Sequence, residues 1–316
     1  MAGGIFRCST SLLLPLVIGL SGCALLAGSG PSEVFSPDLP QSAELTEVPF
    51  FPQEAYQCGP AALAMAVNFA GLARTPQQLT DEVYLPQRQG ALQAEMLAAT
   101  RRAGLIAYPL SPDLPTVLTE VAGGHPVVVL QNQLFDLFPR WHYAVVIGFD
   151  RSSGEVILRS GTQKRRVEAL RDFDRSWAKA GRWAFVALPP GQLPATADED
   201  RYVLAAANLE RTTPQAAGDA YTAALAKWPH NAVARIALGN IAYGSHRLTE
   251  AEAQYRKATV DHPESADAWN NLAQTLHELG RNEEALLCAE RAISIGGARQ
   301  PIYRATLQSI RSPAPP

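Results

Sequence analysis

The sequence predicts an α+β domain followed by an all-α solenoid of helical repeats. In the first part of the chain, segments with apolar residues at helical spacing precede compact β-branched runs, which is the order expected for helices and an antiparallel sheet. In the second part, alanine recurs at positions 217, 251 and 285, and a fixed period of this kind indicates stacked repeats. The 316 residues suffice for two domains of ordinary size.

The composition is that of a globular protein, with 47% hydrophobic and 18% charged residues. The formal net charge is −3, so the sequence shows no basic footprint, and we expect no nucleic-acid partner. No glycine-rich phosphate loop is present, and the histidines in the second part of the chain lack the pair spacing of a metal site. We therefore expect no cofactor and no metal.

The N-terminal segment 1–23 has the pattern of a secretion signal. Arg7 supplies a positive charge, and the apolar run behind it is too short for an ordinary membrane span. The run ends in Leu20-Ser21-Gly22-Cys23, which resembles the lipobox of bacterial lipoproteins, where the cysteine is lipidated. With the non-acidic Ala24 after Cys23, the resemblance implies a lipid anchor on the periplasmic face of the outer membrane. The alternative is a simple cleaved signal with an incidental cysteine.

Two proline-rich stretches divide the rest of the chain. Residues 24–45 form the predicted tether, and residues 189–200 form the predicted linker. Between them, residues 46–188 have the size of an ordinary domain. After the linker, residues 201–312 hold the predicted repeats and a closing helix.

Within the 46–188 domain, helices are predicted first and strands afterwards. A helix begins at Cys58-Gly59-Pro60 and stops at Gly71, because proline suits a first helical turn and glycine suits a helix end. Further helices are predicted at Thr75-Pro76, 91–103 and 115–122. Strands are predicted over the apolar runs Pro126–Leu130, Tyr143–Phe149, Glu155–Leu158 and Trp183–Leu188.

The repeats keep several sequence positions in phase. Ala224, Ala258 and Ala292 show the same interval as the first set of alanines, and two prolines share it. The pattern is similar to that of tetratricopeptide repeats, in which small residues let paired helices approach closely. The resemblance implies an array that binds a protein partner, closed by a helix around Pro301–Arg311. The alternative is an unrelated alanine-rich bundle.

One cysteine stands where a nucleophile is expected. Cys58 begins the first predicted helix, where free N–H groups and the helix dipole favour the thiolate, so we expect a lowered thiol pKa. Gln53 is placed to add a side-chain amide to an oxyanion site. His142, at the start of an apolar strand, is the candidate base, with His125 as its rival. Cys288, on a repeat helix, is interpreted as a core residue.

These segments resemble a known enzyme family. The runs Gln-x4-Cys-Gly-Pro-Ala-Ala-Leu, Gly-His-Pro-Val-Val-Val and His-Tyr-Ala-Val-Val-Ile-Gly-Phe-Asp look like the papain-like peptidases that process double-glycine leaders of bacteriocins. The match covers residues 46–188. It implies an α+β papain-like cysteine peptidase domain before the tetratricopeptide solenoid, and a peptide or protein substrate. It also implies that Cys58 attacks the scissile carbonyl, His142 activates it, and Gln53 completes the oxyanion hole.

The sequence departs from the family at the third catalytic residue. The family has an Asp a short way beyond the histidine, whereas Leu158–Thr162 of this chain contains no carboxylate. Asp150 is the nearest acid, but it belongs to a predicted hairpin turn and is expected to face away. The third role is therefore vacant or taken by a hydroxyl, with Ser160 as the candidate.

Three functions remain open on the sequence. Cys58, His142 and Gln53 together favour a periplasm-facing cysteine peptidase whose repeats recruit a protein or peptide partner. The missing Asp favours a catalytically weak or inactive peptidase-like adaptor lipoprotein that acts by protein–protein interaction. A transglutaminase-like or cell-wall amidase enzyme shares the Cys–His chemistry, but the Cys-Gly-Pro context favours the leader-peptidase type.

Overall fold

The computed structural model describes residues 39–53, 57–135 and 137–312. The predicted signal segment, Cys23 and most of the predicted tether lie outside the described residues. None of the helices in these ranges has both the length and the apolarity needed to cross a membrane.

The N-terminal domain is built around an antiparallel sheet. Its strands are β1 (Ser42–Glu44), β2 (Tyr84–Leu85), β3 (Gly90–Ala91), β4 (Ile106–Pro109), β5 (Val127–Asn132), β6 (Trp141–Asp150), β7 (Glu155–Ser160), β8 (Gln163–Ala169) and β9 (Ala184–Leu188). Seven of them form one sheet in the order β4-β9-β5-β6-β7-β8, with β1 paired to the end of β6 that β5 leaves free. The short strands β2 and β3 pair only with each other.

Five helices cover the two faces of this sheet. They are α1 (Cys58–Phe69), α2 (Pro76–Val83), α3 (Gln93–Arg102), α4 (Leu114–Ala122) and α5 (Leu170–Ala178). Because successive strand residues point to opposite faces, Val145 and Ile147 of β6 pack with α1, whereas Ala144 and Val146 pack with α4 and α5. The sheet therefore separates two apolar cores, and α1 belongs to only one of them.

The C-terminal region consists of helices alone within the described residues. They are α6 (Glu199–Ala207), α7 (Pro214–Lys227), α8 (Ala232–Gly244), α9 (Leu248–Asp261), α10 (Ala266–Glu278), α11 (Asn282–Ile295) and α12 (Gln300–Arg311). The in-phase alanines are buried between paired helices, and Gly239 lies against the Tyr255 ring, where an added Cβ would collide. Small residues thus permit the close helix packing that the repeat pattern predicts.

The helical array packs on the α4 face of the sheet. Residues of α6 and α7 bury apolar surface in the same core as β4 and α4. The Tyr202 ring lies 6.5 Å from the Tyr108 ring, centroid to centroid. The Tyr202 hydroxyl also donates to the carbonyl oxygens of Pro190 and Gln192, at 3.0 and 2.9 Å. The array therefore lies on the face opposite α1.

Two segments predicted as connections contribute to the folded structure. The predicted tether, 24–45, includes Ser42–Glu44, which pairs with β6; three residues are too few to show strand periodicity in a sequence. The predicted linker, 189–200, is fixed to α4, because the buried Glu120 carboxylate accepts hydrogen bonds from the N–H groups of Ala195 and Thr196 at 3.1 and 2.8 Å. The connection between the two regions is thus anchored along its length.

Candidate active site

Cys58 is the first residue of α1, as predicted, and its side chain is partly buried. Burial raises the pKa of the Cys58 thiol above its ordinary value and outweighs the lowering by the backbone N–H groups of Tyr143, Gly59 and Cys58 itself. The expectation of a lowered thiol pKa is therefore wrong for the resting protein. The helix N-terminus is present, but the thiolate loses more hydration than these N–H groups restore.

The residue after Cys58 leaves no room for a side chain. An added Cβ on Gly59 would lie 2.6 Å from the Cβ of Ala91. The Tyr143 hydroxyl donates to the Ala91 carbonyl oxygen at 3.2 Å. These contacts hold β3 against the start of α1 and form one wall beside the thiol.

His142 is the second residue of β6 and pairs with Gln131 of β5. Burial, together with the positive charges of Arg166 and Arg140, lowers the pKa of His142 to about 4. His142 is therefore neutral at neutral pH, which is the form that accepts a proton. The same surroundings stabilise the imidazolium poorly once that proton has moved.

Ser160, the last residue of β7, is buried beside His142. The Nε2 atom of His142 lies 2.9 Å from the Oγ atom of Ser160. The hydroxyl predicted for the third position thus meets the imidazole. Asp150 stands at the opposite end of β6 and accepts hydrogen bonds from the backbone N–H groups of Ser152 and Ser153, so it faces away as expected.

Gln53 is held between β6 and the turn after β7. Its backbone N–H donates to the Gly161 carbonyl oxygen, and its Oε1 atom accepts from the Gly161 N–H, both at 3.0 Å. Its Nε2 atom donates to the Tyr143 carbonyl oxygen at 3.3 Å. Among the described residues, the second N–H of this amide meets no acceptor. One amide donor of Gln53 therefore remains available, on a residue that lines the same cavity as Cys58.

The three predicted residues line a single cavity of about 1190 Å³. Gln53, Cys58 and His142 all contribute to its wall. No hydrogen bond joins the thiol to the imidazole in the part of the chain that is described. Because Ser160 engages Nε2, Nδ1 is the ring nitrogen that remains for the thiol proton.

Large apolar side chains are exposed on the wall of this cavity and on the chain segment that leads into it. The apolar rim consists of Leu92, Phe135, Leu137, Phe138 and Trp141, which are 44–81% exposed. Leu92 and Trp141 line the cavity, and the other three lie on the β5–β6 connection. Clustered exposed apolar side chains are typical of a binding surface.

The remaining candidates lie elsewhere. The Nδ1 atom of His125 lies 2.7 Å from the Oε2 atom of Glu120, on the α4 side of the sheet, and His125 does not line the cavity. Cys288 is buried in the core of the array, and burial raises its thiol pKa. Within the described residues, no group of His, Cys, Asp and Glu has the arrangement of a metal site.

Two charged neighbours of His142 were not among the predicted site residues. Arg140 stands two residues before His142, directly before β6 begins, and both side chains line a smaller cavity beside Ser160. The closeness of Arg140 to His142 in the chain was a signal present in the sequence. Arg166 lies on β8, a strand that the sequence analysis did not predict, so its position was not available from the sequence.

Comparison with known families identifies the two regions. Residues 45–185, which include the whole cavity wall described above, match the model of the Peptidase_C39 like family. The N-terminal region is a C39-like peptidase domain. Residues 236–300 match a tetratricopeptide repeat model, so tetratricopeptide repeats follow the C39-like domain. The predicted family resemblance and the predicted fold class are thereby confirmed at this level.

A solved structure resembles part of the chain. It is that of a Bacillus anthracis protein provisionally described as a C39-like peptidase, with 17% sequence identity and a TM-score of 0.41. The match covers 47% of this chain and 98% of the other. No curated protein matches the chain.

Proposed function

We propose that this protein is a lipid-anchored cysteine peptidase of the bacterial cell envelope, facing the periplasm. The observation that carries the proposal is that Gln53, Cys58 and His142 line one cavity. The Nε2 atom of His142 is hydrogen-bonded to Ser160, which leaves Nδ1 for the thiol. A nucleophile, a base and an amide donor on one wall are the groups that acyl transfer requires.

The proposed reaction starts from a neutral thiol and a neutral imidazole. As the Cys58 sulfur attacks the scissile carbonyl carbon, its proton passes to Nδ1 of His142, while the Nε2–H of the ring donates to Ser160. The oxyanion accepts hydrogen bonds from the free N–H of Gln53 and from the start of α1. The imidazolium then protonates the leaving amine, and water hydrolyses the thioester.

The apolar rim supplies the proposed substrate contact. Leu92 and Trp141 flank the cavity that contains Cys58, so a peptide with apolar side chains near its cleavage site buries them there. The resemblance to double-glycine leader peptidases is in line with a peptide or protein substrate. The repeats are proposed to recruit a protein partner, and lipidated Cys23 to attach the chain to the outer membrane.

Labelling with a thiol-directed peptidyl probe tests the enzymatic proposal. The wild-type protein should be labelled at Cys58, and His142→Ala should label much more slowly because the proton acceptor is missing. Cys288→Ala is the matched control and should label like the wild type, since Cys288 is buried in the array. Equal labelling of wild type and His142→Ala would contradict the proposal.

The anchor has a separate test. Cys23→Ala should leave the protein unprocessed or release it from the membrane fraction, because acyl chains provide the attachment. Unchanged membrane association of a processed Cys23→Ala protein argues against the lipoprotein assignment.

A second function has an observation in its favour. A smaller cavity lies beside His142 and Ser160, and none of the described residues that line it is acidic. Burial and two nearby positive charges also lower the pKa of His142 to about 4. These features suit a catalytically weak or inactive adaptor that binds partners through the cavity and the repeats. Absence of probe labelling together with retained binding of a double-glycine peptide would favour the adaptor.

A further inference from the structure

A second, smaller cavity lies on the Ser160 side of His142. Its volume is about 300 Å³, and its wall includes Ser160, Thr162 and Gln163 together with Arg140 and Arg166. We call it the arginine pocket. Guanidinium groups beside hydroxyl and amide groups form a wall that favours an anion.

The hydroxyl of Ser160 has a proton without an acceptor in the proposed reaction. For Nδ1 of His142 to accept the thiol proton, Nε2 must carry the ring hydrogen and donate it to Ser160 Oγ. Ser160 then has its own O–H to donate, and it is only 2% exposed. None of the described residues accepts this hydrogen bond. A buried donor of this kind calls for a partner in the arginine pocket.

The charges around His142 are unbalanced. Arg140 and Arg166 both act on the imidazole and disfavour its protonated form. Of the nearby acids, Glu168 pairs with Arg166 itself, and Asp172 pairs with Arg175 at 3.1 Å, whereas Arg140 forms no ion pair with the described residues. Both acids line a neighbouring cavity that Arg140 and Arg166 also line, and neither acid lines the arginine pocket. An imidazolium formed at His142 therefore meets positive charge and no negative charge among the described groups that line the pocket.

We propose that the arginine pocket binds a carboxylate that is not part of this chain. The carboxylate pairs with Arg140 and Arg166 and accepts the hydrogen bond of the Ser160 hydroxyl. It thereby completes a chain from His142 through Ser160 to a negative charge. The catalytic meaning of this site rests on the proposed peptidase function, whereas binding of the carboxylate does not. The carboxylate is either a small free anion or an acidic group of the peptide substrate.

The test is a titration of His142 by NMR in the purified protein, with acetate replacing chloride at constant ionic strength. The spectrum of His142→Gln identifies the His142 resonance. Acetate should raise the pKa of His142 from about 4 by about one pH unit, a tenfold change in proton affinity, and the effect should saturate. The nearby negative charge favours the imidazolium, which fixes the sign of the shift.

Three variants separate specific binding from screening. Arg140→Gln and Arg166→Gln should each raise the acetate-free pKa of His142, because a positive charge is removed, and should each weaken or abolish the acetate response. Arg165→Gln is the matched control, because Arg165 is the neighbouring residue on β8 and pairs with Glu44 at 2.9 Å. It should respond to acetate like the wild type.

Peptide turnover distinguishes the two sources of the carboxylate. If the substrate supplies it, a peptide with Glu near the cleavage site is cleaved at least tenfold faster than its Gln counterpart without acetate, and Arg140→Gln removes the difference. If a free anion supplies it, both peptides depend on acetate alike. Either result supports the site.

The result that overturns the inference is an acetate response that fails to saturate or survives in Arg140→Gln and Arg166→Gln. A saturable response without any peptide cleavage supports the binding site and counts against the peptidase function. In the converse result, peptide cleavage is unaffected by acetate and by the Glu-to-Gln change, and the pKa of His142 does not respond to acetate. That result supports the peptidase function and counts against the binding site. The two proposals therefore fail in distinguishable ways.

Discussion

Two histidines of the C39-like domain form side-chain hydrogen bonds of different kinds. His125 meets the buried carboxylate of Glu120 at 2.7 Å, whereas His142 meets the hydroxyl of Ser160 at 2.9 Å. The carboxylate pair lies on the α4 side and holds the connection to the repeats, and the hydroxyl pair lines the cavity of Cys58. In this domain, the histidine with a carboxylate partner, His125, therefore forms a structural contact. The candidate catalytic histidine is His142, which is identified by the cavity that it shares with Cys58.

The two pairs also respond to acid through different groups. Burial raises the pKa of Glu120, but hydrogen bonds from His125 and Thr196 outweigh it, so the net pKa lies below its ordinary value. The stability from a lowered carboxyl pKa is present above the unfolded-state pKa and is lost as the pH falls through the folded-state pKa. The pKa of His142 is lowered to about 4 in the folded protein, from about 6.5 in the unfolded chain. The contribution of His142 to folding stability is therefore present above about pH 6.5 and is lost as the pH falls from there to about 4.

The largest expected contrast comes from removing each imidazole. His142→Ala should lower kcat/KM on a double-glycine reporter peptide by about 10³-fold or more, because no other described group accepts the thiol proton. His125→Ala should leave kcat/KM unchanged, since His125 does not line the cavity. Comparable losses in both variants would remove the functional distinction between the two pairs.

The next effect concerns the amide beside the thiol. Gln53→Ala should lower kcat by about a hundredfold, because one oxyanion donor is lost. Gln53→Glu is the sharper variant, since it keeps an oxygen for the Gly161 N–H but has no amide hydrogens. A similar loss in kcat for both variants assigns the effect to the donor. Full activity of Gln53→Glu argues that Gln53 serves only to hold the turn.

The carboxylate pair should affect stability without affecting turnover. Glu120→Gln should lower the free energy of unfolding by about 2 kcal/mol, because four donors face a weaker acceptor inside the protein. Urea unfolding at pH 7 measures this loss. The difference from wild type should shrink below about pH 4.3, where the Glu120 carboxyl begins to take up a proton in the unfolded chain. A pH-independent difference would exclude the carboxylate charge as its cause.

The smallest expected effect is at the hydroxyl. Ser160→Ala should lower kcat/KM by about tenfold, the worth of one neutral hydrogen bond. Ser160→Asp should raise turnover and move the acidic limb of the pH–rate profile to higher pH, because a neighbouring carboxylate raises the pKa of His142. If Ser160→Asp lowers turnover with no shift of that limb, the cavity does not act as a triad that lacks its acid.

Much of the fold could be predicted from local sequence signals. The first helix was expected to begin at Cys58-Gly59-Pro60 and to stop at Gly71, and the structure has α1 at Cys58–Phe69. The apolar runs that became β5, β6, β7 and β9 were also found, because fully buried strands consist largely of β-branched and apolar residues. The strand Gln163–Ala169 was missed, since an exposed edge strand rich in Lys and Arg has no apolar alternation.

The candidate site was predicted as a set of residues but not as an electrostatic arrangement. The residue types and spacing around Gln53, Cys58 and His142 singled out these three residues, and the structure places all three on one cavity. The pKa directions could not be predicted, because they depend on burial and on Arg166, which comes from a different strand. A helix N-terminus indicates the orientation of a dipole and says nothing of how much water the thiol loses.

The placement of the repeats sets a minimum length for any substrate that they hold directly. The array packs on the α4 face of the sheet, whereas Cys58 lies on the α1 face, and the connection is fixed by Glu120. A bound chain must therefore pass around the domain, across at least about 20 Å of sheet and helix layers. At about 3.3–3.6 Å per extended residue, this requires a spacer of six or more residues between the segment held by the repeats and the scissile bond. Shorter peptides reach the thiol only from solution. Deletion of α9–α12, whose buried residues belong to cores separate from that of the sheet, should therefore alter the cleavage of long substrates and leave that of short ones unchanged.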